Sequence, residues 1–148
     1  MWDPSLVSEQ IREAAVRSEP VLNLDKDSSV LIVDDDAGNR TLMKAYLDGL
    51  ELNVRFATNG QEALDMYKEE APDVLVADLQ MPIMDGFTLV NRIRELEGIS
   101  SQDTKIMILT ADALDETAEQ ARQLNVDAYL TKPIRKSQFL GTISDLLN

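Results

Sequence analysis

The chain has 148 residues, enough for one domain with a short addition at one end. Its 14 Lys and Arg against 27 Asp and Glu give a formal charge of −13, and such a surface repels phosphate backbones and argues against direct nucleic-acid binding. Apolar residues make up 44% of the chain, which excludes wholesale disorder, and the absence of both Cys and His excludes disulfides, thiolate or imidazole metal sites and a phosphohistidine of its own.

Residues 1–28 differ from the remainder of the chain. Asp3 and Pro4 form a helix start, an N-cap acceptor followed by the residue that tolerates the first helical position. Leu6, Val7, Ile11, Ala14 and Ala15 fall on one helical face, and Glu19-Pro20 ends it. Val21 to Ser29 is polar and reads as a connector. The helix mixes Asp3, Glu9 and Glu13 with Arg12 and Arg17, which argues against a membrane-surface anchor. The N-terminus has neither the basic start nor the apolar stretch of an export signal, and no apolar run approaches the roughly 20 residues of a membrane span. The expectation is a soluble, cytoplasmic protein without membrane insertion.

From Val30 onward strands and helices alternate. Val30 to Val33, Val74 to Ala77 and Ile106 to Leu109 are short, wholly apolar and largely β-branched, the pattern of strands buried on both faces. Asn53 to Ala57 and Asp127 to Leu130 are weaker strand candidates, at the sheet edge or in a short strand. Helical stripes lie between them. Leu42, Met43, Tyr46, Leu47 and Leu50 form the first. Ala63, Leu64, Tyr67 and Ala71 form the second, with Asn59 and Glu62 as its capping pair. Phe87, Val90, Ile93 and Leu96 form the third, Leu114, Ala118 and Ala121 the fourth, and Phe139, Leu140, Ile143 and Leu147 the last. Five β-α units in succession imply an α/β fold, a doubly wound parallel sheet between two helical layers.

In such sheets ligands bind at the carboxyl ends of the strands. Asp34-Asp35-Asp36 follows the first strand, Asp78 the third, Thr110-Ala111-Asp112 the fourth and Thr131-Lys132-Pro133 the fifth. Each has a bland reading: a solvated acidic turn, a turn cap, a strand-end hydroxyl, a surface lysine. Their coincidence at four strand ends points to one composite polar site.

These residues resemble the receiver domain of two-component response regulators, from about Val30 to the end of the chain. The double Asp after the first strand, Asp78 opening Asp-x-x-Met-Pro-x-Met-Asp-Gly, Thr110-Ala111 and Lys132-Pro133 make the resemblance. The intervals of 43 residues from Asp35 to Asp78, 32 to Thr110 and 22 to Lys132 fit it. The resemblance implies a five-stranded sheet of flavodoxin-like order 2-1-3-4-5, with the N-terminal helix as an extra. The division is then 1–28, helix and connector, and 29–148, receiver domain.

It also implies roles. Asp78 is the phosphoacceptor, a carboxylate nucleophile. Asp34 and Asp35 with Asp78 and the backbone carbonyl of Gln80 hold Mg²⁺, Asp35 directly and Asp34 mainly through water. Lys132 and Thr110 meet the phosphoryl oxygens. Thr110 and Tyr129 form a switch coupled to the face of the fourth helix, fifth strand and fifth helix; a half-buried edge-strand aromatic is the equal alternative for Tyr129. Asp36 is read as a cap or first-turn charge on the first helix, and Gln80 and Asp112 as positions that tune phosphoryl lifetime.

The expected function is a phosphorylation-dependent switch that takes its phosphoryl group from a histidine kinase or histidine phosphotransfer protein and alters its binding of a downstream effector. It is no conventional enzyme beyond self-phosphotransfer and autodephosphorylation. A homodimer through the N-terminal helix or the face of the fourth helix, fifth strand and fifth helix is a further expectation. The rivals are a receiver-shaped interaction module that is not phosphorylated and an aspartyl-phosphate phosphatase of the haloacid-dehalogenase type. Asp34-x-Asp36 suits the phosphatase, but Ala37-Gly38-Asn39-Arg40 lacks its Gly-Thr-like continuation.

Overall fold

The computed structural model describes residues 28–97, 104–111 and 114–148. The expected helix over the first segment and the position of Asp112 lie outside them. Ten elements alternate: β1 (Ser29–Val33), α1 (Ala37–Leu47), β2 (Asn53–Ala57), α2 (Gly60–Glu69), β3 (Val74–Asp78), α3 (Gly86–Glu97), β4 (Lys105–Thr110), α4 (Asp115–Gln123), β5 (Ala128–Thr131) and α5 (Lys136–Leu147). All five strands are parallel in one sheet of order β2-β1-β3-β4-β5, the expected 2-1-3-4-5.

The alternation of side chains along each strand divides the core in two. Leu31, Val33, Leu75, Ala77, Ile106 and Ile108 face Ala63 and Leu64 of α2 and Leu89, Val90 and Ile93 of α3. Val30, Ile32, Val74, Val76, Met107 and Leu109 face Met43 and Leu47 of α1 and Phe139, Leu140 and Ile143 of α5. Burial on both faces explains why the three central strands carry no polar alternation.

Two carboxylates secure the starts of the strands. Asp73 Oδ2 accepts from the Ser29 N–H at 2.8 Å, and Asp127 Oδ2 from the Ile106 N–H at 2.8 Å. The Thr104 hydroxyl donates to the Pro72 carbonyl at 2.7 Å. The amino ends of the strands are thereby closed, and the open polar edge is at their carboxyl ends.

Some stripe residues prove to be at the surface. Leu42, Leu96 and Leu114 are 38%, 49% and 60% exposed. The core-facing line of α1 runs through Met43 and Leu47, four residues apart, and Leu42 lies a further 100° around the axis. Leu114 is the N-cap position of α4, and Ala71 follows the end of α2. Asp78 and Thr110 are the last residues of β3 and β4, and Thr131 closes β5.

Candidate functional site

Asp34 is the first residue beyond β1. Its N–H donates to the Ala57 carbonyl at 3.2 Å, one step past the regular β1–β2 pairing. Its side chain is fully buried. Oδ1 accepts from the Asp36 N–H at 2.9 Å, and Oδ2 lies 3.4 Å from Lys132 Nζ. Asp35 is exposed. Asp36 caps α1, its carboxylate accepting from the Gly38 N–H at 2.8 Å, which removes it from the acidic pair and leaves the phosphatase pattern without its second acid.

Asp78 ends β3 at 4% exposure, with Leu109 as its neighbour in β4. Lys132 Nζ stands 3.2 Å from Asp78 Oδ1, so one ammonium bridges Asp34 and Asp78. The Gln80 N–H also points to Asp78 Oδ1, at 3.4 Å. Burial raises the Asp78 pKa above its ordinary value, the Asp34 carboxylate raises it further, and Lys132 pulls against both. Carboxylate oxygens of Asp34, Asp35 and Asp78 lie within 4.8 Å of one another.

The loop from β3 to α3 wraps tightly. The Leu79 N–H donates to the Leu109 carbonyl and the Gly86 N–H to the Leu79 carbonyl, both at 2.8 Å. A Cβ on Gly86 would fall 2.8 Å from the Asp78 carbonyl oxygen, so only glycine lets the start of α3 press on the strand end. Gly60, at the start of α2, meets Met84 of this loop with equal closeness.

Thr110 is fully buried at the end of β4, beside Thr131 of β5. Its carbonyl accepts the Lys132 N–H at 2.7 Å, which seats the lysine next to the β4 terminus. Tyr129 is half-buried in β5 and packs against the α2–α3 side of the core. The fold thus gathers Asp34, Asp35, Asp78 and Lys132 into one cluster, with Thr110 and the Gln80 backbone at its border.

One neighbour is not marked by any motif in the sequence. Arg40, on α1, donates from Nη1 to the Asp34 carbonyl at 2.6 Å. Its six-residue offset from Asp34 is the only signal the sequence carries.

The three acids of the cluster offer oxygens alone. Three carboxylates this close, with Asp34 opposing ionisation of Asp78, suit a small hard cation, and the donor set fits Mg²⁺. A buried strand-end carboxylate beside an ammonium also suits an acceptor for a phosphoryl group.

Comparison with known proteins agrees with this geometry. Residues 30–144 match the family profile described as response regulator receiver domain. The chain is 35% identical over 118 residues to the chemotaxis protein CheY of Halobacterium salinarum, covering 80% of this chain and 95% of that one. It is 32% identical over 144 residues to the sensor histidine kinase RcsC of Salmonella typhi, covering 97% of this chain but 15% of that protein. The crystal structure of chemotaxis protein CheY4 of Vibrio cholerae superposes with a TM-score of 0.74 at 28% identity, over 81% of this chain and 98% of that one.

Proposed function

The chain belongs to the response regulator receiver domain family of two-component signalling, and from that premise we propose that it is a switch phosphorylated on Asp78. The observation that supports this most is the joint placement of Asp34, Asp35 and Asp78 with Lys132 touching two of the three. The donor is a phosphohistidine on a histidine kinase or a histidine phosphotransfer protein, since this chain has no His. A cytoplasmic location belongs to this reading. Among the described residues no helix is long and apolar enough to cross a membrane.

The residues divide the work. Asp78 Oδ1 is engaged by Lys132 and the Gln80 N–H, which leaves Oδ2 to attack phosphorus. A bond forms between Oδ2 and phosphorus as the bond from phosphorus to the donor imidazole nitrogen breaks, and the imidazole keeps the electron pair. Lys132 places a fixed positive charge beside the arriving oxygens. Asp34, Asp35, Asp78 and the Gln80 carbonyl hold Mg²⁺, which when bound supplies charge neutralisation for carboxylates and phosphoryl oxygens. Thr110 donates its hydroxyl to the transferred group. As the Thr110 hydroxyl is drawn inward by that group, Tyr129 turns into the vacated space and alters the face of α4, β5 and α5, where a downstream effector or a second copy binds.

Intact mass after incubation with acetyl phosphate and Mg²⁺ tests the reading. One phosphoryl adduct is expected, absent from Asp78→Asn and from a sample with chelator. An adduct that persists in Asp78→Asn places the acceptor elsewhere. If neither an adduct nor beryllofluoride binding is found, the phosphorylation reading falls and a receiver-shaped interaction module stands in its place.

A further inference from the structure

We propose that Arg40 is the positioning residue of the acidic pair: its grip on the Asp34 carbonyl fixes the peptide joining Asp34 to Asp35 and so sets how tightly the site takes Mg²⁺. The inference rests on the reading of Asp35 as a metal ligand.

The need for such a residue arises where the sheet stops. β1 and β2 pair as far as Val33 and Ala57, and the Asp34 N–H reaches one step further to the Ala57 carbonyl. To continue, β2 would have to return an N–H to the Asp34 carbonyl. It does not, because the chain turns into α2. The Thr58 N–H donates to Glu62 Oε1 at 2.6 Å, and Asn59 becomes the N-cap. A carbonyl at that depth requires another donor. Arg40 Nη1 supplies it at 2.6 Å, a short charge-assisted bond.

The consequence falls on Asp35. Asp34 is held at its N–H, at its carbonyl and at both carboxylate oxygens. Asp35 is exposed, so its carboxylate is aimed by its backbone rather than by packing. The peptide plane that begins at the Asp34 carbonyl sets that aim, and Arg40 is the side chain that holds the plane. Glu62 of α2, whose carboxyl is kept low chiefly by the Thr58 N–H, feels the Arg40 charge only as a minor contribution.

The sign of one effect separates this role from a mere charge effect. A cation near a cation site repels the incoming ion, so removing the Arg40 charge alone tightens Mg²⁺ binding. Removing a positioning contact loosens it, and losing an outer support of this kind typically costs about tenfold or more in metal affinity. Calorimetric Mg²⁺ titration of the full chain, with amide hydrogen exchange at Asp35 and Asp36 in chelator, reads both. Arg40→Met is expected to bind Mg²⁺ about tenfold more weakly and to exchange faster at Asp35. Arg40→Lys, which keeps charge and donor, recovers most of the affinity. If Arg40→Met does not fold, Arg40→Gln, too short for the carbonyl, replaces it under the same expectation. A wild type that takes up no Mg²⁺ overturns the functional reading and this inference together. A wild type that binds, beside an Arg40→Met that binds as well or more tightly, overturns this inference alone.

Discussion

Asp78 is buried next to another carboxylate, and its ionised form is held at a cost. The cost is absent below its ordinary value of 3.8 and grows as pH rises from there toward the raised value, so Asp78 subtracts stability near neutrality. Asp78→Asn is therefore expected to raise the chelator-treated protein's denaturation midpoint at pH 7. The gain should shrink below pH 4 or when Mg²⁺ is added, and a midpoint unchanged or lowered at pH 7 contradicts the account. Gly86 is a second sensitive point, because a side chain there strikes the Asp78 carbonyl. Gly86→Ala should lower the yield of phosphoryl adduct, while Gly141→Ala, with nothing within 4 Å in the interior of α5, leaves it intact and stabilises the fold by about 0.5–1 kcal/mol. Adduct mass and thermal melts of both variants check the pair. The gathering of the acids and Lys132 was legible in sequence because strand ends of one parallel sheet converge, whatever the helices do. Arg40 was not, since its partner is a backbone carbonyl that becomes available only where β2 turns away.

The start of α2 shows how a helix is fixed at this site. Asn59 Oδ1 accepts the Glu62 N–H at 2.8 Å, the expected capping pair. Glu62 differs from the expected reciprocal bond: it reaches past Asn59 to the N–H and hydroxyl of Thr58. The Thr58 N–H holds the Glu62 carboxyl below its ordinary 4.5, so its stabilising share is complete above that value and is lost as pH falls through the lowered one. Asn59→Ala should cost about 1 kcal/mol. Glu62→Gln should lower the melting point at pH 7, with the difference from the wild type shrinking as pH falls below 4.5, and a loss that does not shrink with acid would rule out the charge-assisted bond. The central strands were plain in sequence as unbroken apolar runs. β2 and β5 were fainter because they are edges and only partly buried. The helices were recognised by period, while their exact phase was not: Leu42 and Met43 are both apolar, and only packing against β1 and β3 chose Met43.

At the scale of the molecule, a formal charge of −13 works against compactness. Raising NaCl from about 0.1 to 1 M shortens the screening length from about 10 to 3 Å. The chelator-treated protein is expected to melt at higher temperature in the higher salt; a fall would mean that the screened attractions, Lys132 with its two acids among them, outweigh the repulsion. The strand order has a further consequence, which concerns synthesis rather than the finished fold. β1 lies between β2 and β3, yet Val30 pairs with Val74, 44 residues later in the chain. At about 5–20 residues per second, a ribosome needs roughly 2–9 s to deliver that second partner. For that interval Val30 to Val33, a wholly apolar stretch, has at most β2 beside it and an open edge on the other flank. The strand that ends in the acidic pair is thus a segment in need of protection while the protein is being made.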